Sequence, residues 1–259
     1  MAAYQIREVQ TRKELMQFVR FPDELYADCP QYVPALHARE EYALTKAAPL
    51  AYCTRKMWLV LDGERVAGRI CAMVNPRFNE LYGRKCARFG WFDCIRDASV
   101  AEMLLGVAEA WAKEQGMDEV HGPLYYNSFG RQGMLCEGYE HVPPFNCPYN
   151  FAYYNDFVQG LGYVKECDWV QFRMVANHGV PDKARRVSKL VRERYKLHFG
   201  NIDSLKRDKA MVRAFFRVYN EGFASAEEGF VPLTDAEVDE VSAALMPLLS
   251  DKACGLLLD

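Results

Sequence analysis

A chain of 259 residues, half of them apolar and 13% aromatic, can bury a sizeable core, as one large domain or as two small ones. Its formal net charge of −3 excludes a partner chosen by bulk electrostatics, such as nucleic acid or an anionic membrane. No apolar run approaches the roughly 20 residues of a membrane span, and the opening MAAYQIREVQ lacks a signal peptide's apolar core, so a cytoplasmic location and no membrane partner are expected.

The nine cysteines, at 29, 53, 71, 86, 94, 136, 147, 167 and 254, stand singly with no C-x-x-C pair. That spacing argues against a disulfide framework and against structural zinc, so no metal is expected. Most read as small buried hydrophobes, Cys147 in NCPYN being the least typical.

In chain order, residues 4–9 alternate as a first strand, and Thr11 with Glu14 makes a capping box for a helix carrying Leu15, Phe18 and Val19. Residues 21–50 are irregular, punctuated by Pro22, Pro30, Pro34 and Pro49, with one helix at 37–44. The run WLVLDGERVAGRICAMVN from Trp58 is a hairpin, its two apolar arms joined by Asp62-Gly63-Glu64. Residues 86–95 make a third strand of this unit. A long helix follows, with Val100, Met103, Leu104, Val107, Ala108 and Trp111 at helical spacing, a capping box of Ser99 and Glu102, and Gly116 to end it. Residues 118–124 then read as a short buried strand. Hairpin, strand, helix and strand make an α+β unit.

After Pro123 the chain turns dense in Gly, Pro, Asn and aromatics, and a loop of this length and composition is a place for a binding site. Its Tyr125, Tyr126, Tyr139, Phe145 and Tyr149 either line such a site or cover one edge of the core. Residues 151–160 read as a short helix and 163–175 as strands. Pro181 and Asp182 open a helix to Tyr195 with Val187, Leu190, Val191 and Tyr195 in one stripe. Its basic remainder either grips phosphates or forms a solvated face.

From Leu197 a strand, a helix with Met211, Val212, Phe215, Phe216, Tyr219 and Phe223, a helix capped by Thr234 and Glu237, and a strand at 254–258 repeat the order of residues 4–61. The expected organisation is a domain at 1–178, a basic connecting helix at 179–196 and a partial second domain at 197–259, with a natural reading frame running beyond Asp259.

The order of elements over residues 4–175 resembles the GNAT-type acyl-CoA N-acyltransferase fold, and NFAYYNDFVQGLGYV looks like the last helix and strand of that fold. The run from GRICAMVN through FGWFD, GMDEVHGP and GMLCEGYE to YVKECDWVQF is also similar to a little-characterised group of bacterial GNAT-like proteins with a second domain of related fold. The resemblance implies a mixed, mostly antiparallel sheet flanked by helices, followed by the start of a similar domain. It implies an N-acyltransferase that takes acetyl-CoA or another acyl-CoA, with a small-molecule amine or peptide as acceptor; a homodimer is a further expectation, not one the resemblance carries.

On that resemblance Asp93 is the general base, and Tyr153 and Tyr154 are acids or substrate contacts. The backbone of Phe92, Cys94 and Ile95 would meet the pantetheine arm, and Arg96, Asp97, Ala98 and Ser99 would form the pyrophosphate loop. Tyr125, Tyr126, Asn127, Tyr149 and Asn150 would line the acceptor site. The loop departs from the fold's usual basic residue followed by Gly-x-Gly, and Asp97 reads as a helix N-terminal residue that stabilises the dipole. The fold's usual tyrosine acid is Val158 here. Two further readings stand beside the acyltransferase. One is a Fem-like transferase using aminoacyl-tRNA, supported by the basic helix 183–196; the other is a non-catalytic binding module, favoured by the degenerate loop.

Overall fold

The computed structural model describes residues 3–144, 147–173, 175, 179–224, 229–250, 252 and 254–258. Phe145, Met174 and Asp259 lie outside the described residues. The chain divides into two compact units, one of residues 1–164 with 223–237 and the other of 165–222 with 238–259.

Unit 1 is built on a five-stranded sheet in the order β1 (Tyr4–Glu8), β2 (Thr54–Asp62), β3 (Arg65–Val74), β4 (Cys86–Cys94) and β5 (Glu119–His121). Neighbours are antiparallel except β4 and β5, whose parallel pairing runs from Cys86↔Glu119 to Arg88↔His121. The β2–β3 hairpin closes at Asp62↔Arg65, with Gly63 at φ +61° in the first central position, where a type II′ turn requires a positive φ. Helices α1 (Arg12–Leu25), α2 (His37–Thr45), α3 (Pro76–Tyr82), α4 (Ala98–Glu114) and α5 (Tyr153–Gly160) complete the unit. This mixed, mostly antiparallel sheet with helices on both faces is the architecture the GNAT resemblance implies.

The two faces of the sheet carry separate cores. Trp58, Val60, Ile70, Ala72, Phe89 and Phe92 pack with Val100, Leu104, Ala108 and Trp111 of α4. Met57, Leu59, Leu61, Cys71, Met73 and Trp91 pack with Leu15, Phe18 and Val19 of α1 and Leu44 of α2. Alternation along β2 divides its side chains cleanly between them. Gly68 lets α4 lie close: a Cβ there would meet Leu104 Cδ1 and Val100 Cγ1 at 2.8 Å.

β4 breaks its alternation, because Phe89 and Phe92 share one face although three positions apart. The cause is a bulge: Trp91 has φ +47°, and the register against β3 shifts between Arg69↔Asp93 and Cys71↔Gly90. The extra residue sends Phe92 into the α4 core and turns Asp93 toward α1.

The Thr11–Glu14 and Thr234–Glu237 capping boxes form as expected. The box at Ser99 and Glu102 does not form. α4 begins at Ala98 with Asp97 as N-cap, whose Oδ1 accepts from Ser99 N, because a carboxylate two residues ahead outcompetes the serine hydroxyl for the free N–H groups. Residues 163–173 and 175 form no strand, since no described strand edge pairs with them. Helix α3 was not expected, although Asn75 caps it, Pro76 opens it and Gly83 closes it in the left-handed conformation.

Residues 223–237 return to unit 1. Glu237, 2% exposed, accepts from Tyr52 Oη at 2.8 Å and Asn127 Nδ2 at 2.8 Å, and Arg77 lies 3.4 Å away. Tyr82 Oη donates to the Phe230 carbonyl, and Arg77 Nη2 to that of Pro232.

In unit 2, α6 (Asp182–Tyr195) is exposed throughout, and its stripe of Val187, Leu190, Val191 and Tyr195 is 41–64% exposed. Strand β6 (His198–Gly200), α7 (Ile202–Arg207), α8 (Lys209–Ala224), α9 (Asp235–Leu245) and β7 (Leu256–Leu258) follow, with two of the three unit boundaries falling inside α8 and α9. β6 and β7 pair antiparallel, as β1 and β2 do around their own two helices. Among the described residues no helix is long and apolar enough to cross a membrane.

Candidate functional site

The β4 bulge brings Asp93 opposite Arg69 of β3. Arg69 Nε and Nη2 each lie 2.7 Å from Asp93 Oδ2, and Arg69 Nη1 donates to the Phe18 carbonyl at 2.8 Å. Both residues are buried, at 4% and 8% exposure, and the guanidinium also lies over the Phe18 ring. The carboxylate offsets the desolvation of Arg69 and keeps its affinity for the proton above normal.

Asp93 Oδ1 faces two phenols. Tyr26, at the C-cap of α1, has its hydroxyl 3.0 Å from Oδ1 and 3.1 Å from the Tyr154 oxygen. Tyr154, on the first turn of α5, lies 3.5 Å from Oδ1, accepts from Cys94 N at 2.9 Å and sits 3.3 Å from the Cys94 carbonyl. Tyr153 Oη donates to that same carbonyl at 2.7 Å. Burial pushes both Tyr26 and Tyr154 well above the usual phenol range, with Asp93 beside them adding to it, so they are proton carriers rather than phenolates. Tyr153 is raised by burial first and then by its neighbours.

Arg69, Asp93 and Tyr154 wall a cavity of about 50 Å³, which Trp91, Tyr125 and Arg131 also line. Phe92, Tyr149 and Asn150 line it too, so six of the expected residues, Asp93, Tyr154, Phe92, Tyr125, Tyr149 and Asn150, meet at one place. Asn150 is spent on the fold, its amide bonded to Leu135 and to the Phe151 carbonyl. Tyr126 is a core residue whose buried hydroxyl has no partner among the described residues, and Asn127 is held by Glu237 and Phe129 N. Ile95, Arg96 and Tyr153 line a separate open groove of about 550 Å³ with Leu25, Phe151, Ala152 and Asp156.

The backbone that would receive CoA is already engaged. Both polar groups of Cys94 are bonded to Tyr153 and Tyr154, and Ile95 N donates to the Ala67 carbonyl. At α4, Ser99 N and Oγ lie 2.9 and 2.7 Å from Asp97 Oδ1, and Tyr4 Oη holds Oδ2 at 2.9 Å. The Ser99 hydroxyl and N–H hold the Asp97 carboxyl below its usual range. A pyrophosphate placed there would meet a carboxylate instead of free N–H groups, so these residues do not fit CoA in the manner the resemblance implies.

Sequence reasoning missed Arg69, Tyr26 and Arg131. The first two reach Asp93 only through long-range pairing; Arg131, between Gly130 and Gly133 in the aromatic loop, offered a local signal. It also missed that Cys86, Glu119 and His121 each bring one ligand atom within 4.8 Å of the others; Arg84 is ion-paired to Glu119 there, so that carboxylate already has a cation.

No family model matches the chain. It is 28% identical over 255 residues to Protein YghO of Escherichia coli (strain K12), matching 97% of this chain and 64% of that protein. It is 26% identical over 250 residues to a bacterial ceramide synthase of Caulobacter vibrioides (strain NA1000 / CB15N), matching 94% of this chain and 64% of that one. The chain therefore spans less than two thirds of the length of these curated relatives. Among solved structures it is similar to aminoglycoside N-acetyltransferase AAC(6')-Iy in complex with CoA, with 13% identity and a TM-score of 0.42 over 67% of this chain and 96% of that one.

Proposed function

We propose that the protein is an N-acyltransferase that moves an acyl group from a thioester of the acyl-CoA class to the amine of a small molecule, and that unit 1 receives the amine. One observation carries this reading: Asp93, buried in an ion pair and hydrogen-bonded to two phenols at the end of β4, walls a small cavity. The Caulobacter vibrioides relative supports the reaction class, because a ceramide is an amide of a fatty acid and a long-chain amino alcohol.

An amine attacks as the free base, and the proton it sheds on forming an amide needs an acceptor in place. Asp93 Oδ1 is that acceptor, reached directly or through the Tyr26 and Tyr154 hydroxyls. Arg69 holds Oδ2 and so aims Oδ1 at the phenols. Since α4 offers no seat to a pyrophosphate, no step is assigned to the nucleotide end of the donor. We also propose that residues 197–259 open a second domain of related fold, on the strength of the paired strands that flank its helices.

The test is to incubate the protein with acyl-CoA donors of graded chain length and a panel of primary amines, following amide product by mass spectrometry. The wild type is expected to form product, and Asp93→Asn to form it at least about 100-fold more slowly. An unchanged rate in Asp93→Asn overturns the role given to that carboxylate. A folded protein that binds amines yet forms no product with any donor favours the binding-module reading, which the carboxylate at the start of α4 supports.

A further inference from the structure

The cavity beside Asp93 has more hydrogen-bonding capacity than the fold consumes. Arg69 spends its guanidinium on Asp93 and Phe18, Tyr149 donates to the Tyr139 carbonyl, and Trp91 Nε1 donates to Glu40 Oε2 at 2.6 Å. Two wall groups are different. Neither the Tyr125 phenol nor the Arg131 guanidinium has a hydrogen-bond or ion-pair partner among the described residues. Glu40 is near enough to act on both electrostatically, but touches neither.

Both groups are held in place. Tyr125 stacks on Trp91 with ring centroids 3.6 Å apart, an approach that Gly90 and Gly130 permit: a Cβ on Gly90 would lie 2.5 Å from the Leu124 carbonyl oxygen, and one on Gly130 2.4 Å from Tyr125 Cβ. Tyr125 N donates to the Arg131 carbonyl at 3.2 Å, and Leu124 bridges Gln132, so residues 124–132 form a closed loop that presents both side chains together. The Arg131 guanidinium is part-buried and its nearest carboxylate, Glu40, stops short of contact, so its N–H donors are left for a ligand oxygen.

We propose that Arg131 and Tyr125 form an oxygen-anchoring subsite, binding a carboxylate or hydroxyl oxygen carried by the acceptor close to its amine. The inference rests on the amine-acceptor reading of the cavity. Arg131 and Asp93 line the same small space, about 50 Å³, which suits an oxygen on Arg131 and a nitrogen beside Asp93 carried by one small head group. The subsite selects amino acids or amino alcohols over plain alkylamines.

Millimolar titrations of serine, ethanolamine and ethylamine, read by chemical-shift changes, test it without any acyl donor. Serine or ethanolamine is expected to bind at least about tenfold tighter than ethylamine, as one hydrogen bond to a charged group provides. Which of the two prevails identifies the oxygen as carboxylate or hydroxyl. Arg131→Met is expected to abolish the preference. Tyr125→Phe is expected to reduce it, which keeps the question answerable should Arg131→Met misfold. Equal binding of all three amines, absence of binding by any, or a preference that survives both substitutions overturns the subsite. Equal binding with amide product still forming overturns the subsite alone. An Arg131-dependent preference with no product from any donor supports the subsite and removes the transfer reading.

Discussion

Replacing Arg69 by Met tests the electrostatic centre of unit 1. Methionine keeps most of the length that packs against Phe18 but removes the guanidinium, leaving Asp93 at 8% exposure with only phenolic hydroxyls and depriving the Phe18 carbonyl of its donor. Breaking a buried pair by removing one partner costs about 3–5 kcal/mol, a large share of the 5–15 kcal/mol that ordinarily separates folded from unfolded. Removing both charges, as in Arg69→Met with Asp93→Leu, is expected to recover at least about 2 kcal/mol, because the desolvation of the orphaned carboxylate goes with it. Urea unfolding followed by tryptophan fluorescence suits the measurement, since Trp58, Trp91 and Trp111 all lie in the two cores of unit 1. A loss under about 1 kcal/mol in Arg69→Met, or a double variant no more stable than the single, would refute the claim that this pair is buried and mutually dependent.

Two further substitutions address neighbouring elements. Asp97→Ala removes the N-cap of α4 and is expected to cost about 0.5–1 kcal/mol, the lower part of the range because the site is exposed to solvent. Since this carboxyl is depressed in the folded state, its stabilisation is present above the unfolded aspartate value and fades as pH falls through the lower folded one. Thermal midpoints of wild type and variant should therefore converge in acid, and a gap that widens there contradicts the cap. Tyr154→Phe leaves Cys94 N–H without its acceptor and should lower stability by about 1–3 kcal/mol, while slowing amide formation more than it weakens amine binding; equal effects on both would make Tyr154 a packing residue only.

How far these features are legible before folding depends on whether their cause is local. Thr11 with Glu14 and Thr234 with Glu237 are read correctly because a capping box is complete within four residues. Ser99 with Glu102 has the same spelling, but Asp97 takes the N–H groups first. The bulge in β4 is hidden because the strand is buried from end to end, so no polar alternation marks where the parity changes. Asp93 could be singled out by type and position; that it points at Arg69 depends on that bulge and on the register of β3. The alternating residues after Tyr163 had the composition of a strand, but composition cannot supply an edge to pair with. Arg131 was within reach, as a lone cation flanked by glycines in a loop already suspected of binding.

The return of residues 223–237 sets a schedule for synthesis. Tyr52 meets Glu237 across 185 positions of chain, and Asn127 across 110, so the strands of unit 1 leave the ribosome long before the carboxylate that ties them down. At ordinary elongation rates of about 5–20 residues per second those intervals are roughly 10–40 s for Tyr52 and roughly 5–20 s for Asn127. Through them, a nascent sheet carries Tyr52, Arg77 and Asn127 with no Glu237 to bind, and Phe78 with no Val231 to complete its cluster. An early stop codon or a protease acting before residue 237 would therefore release a first unit without its clasp.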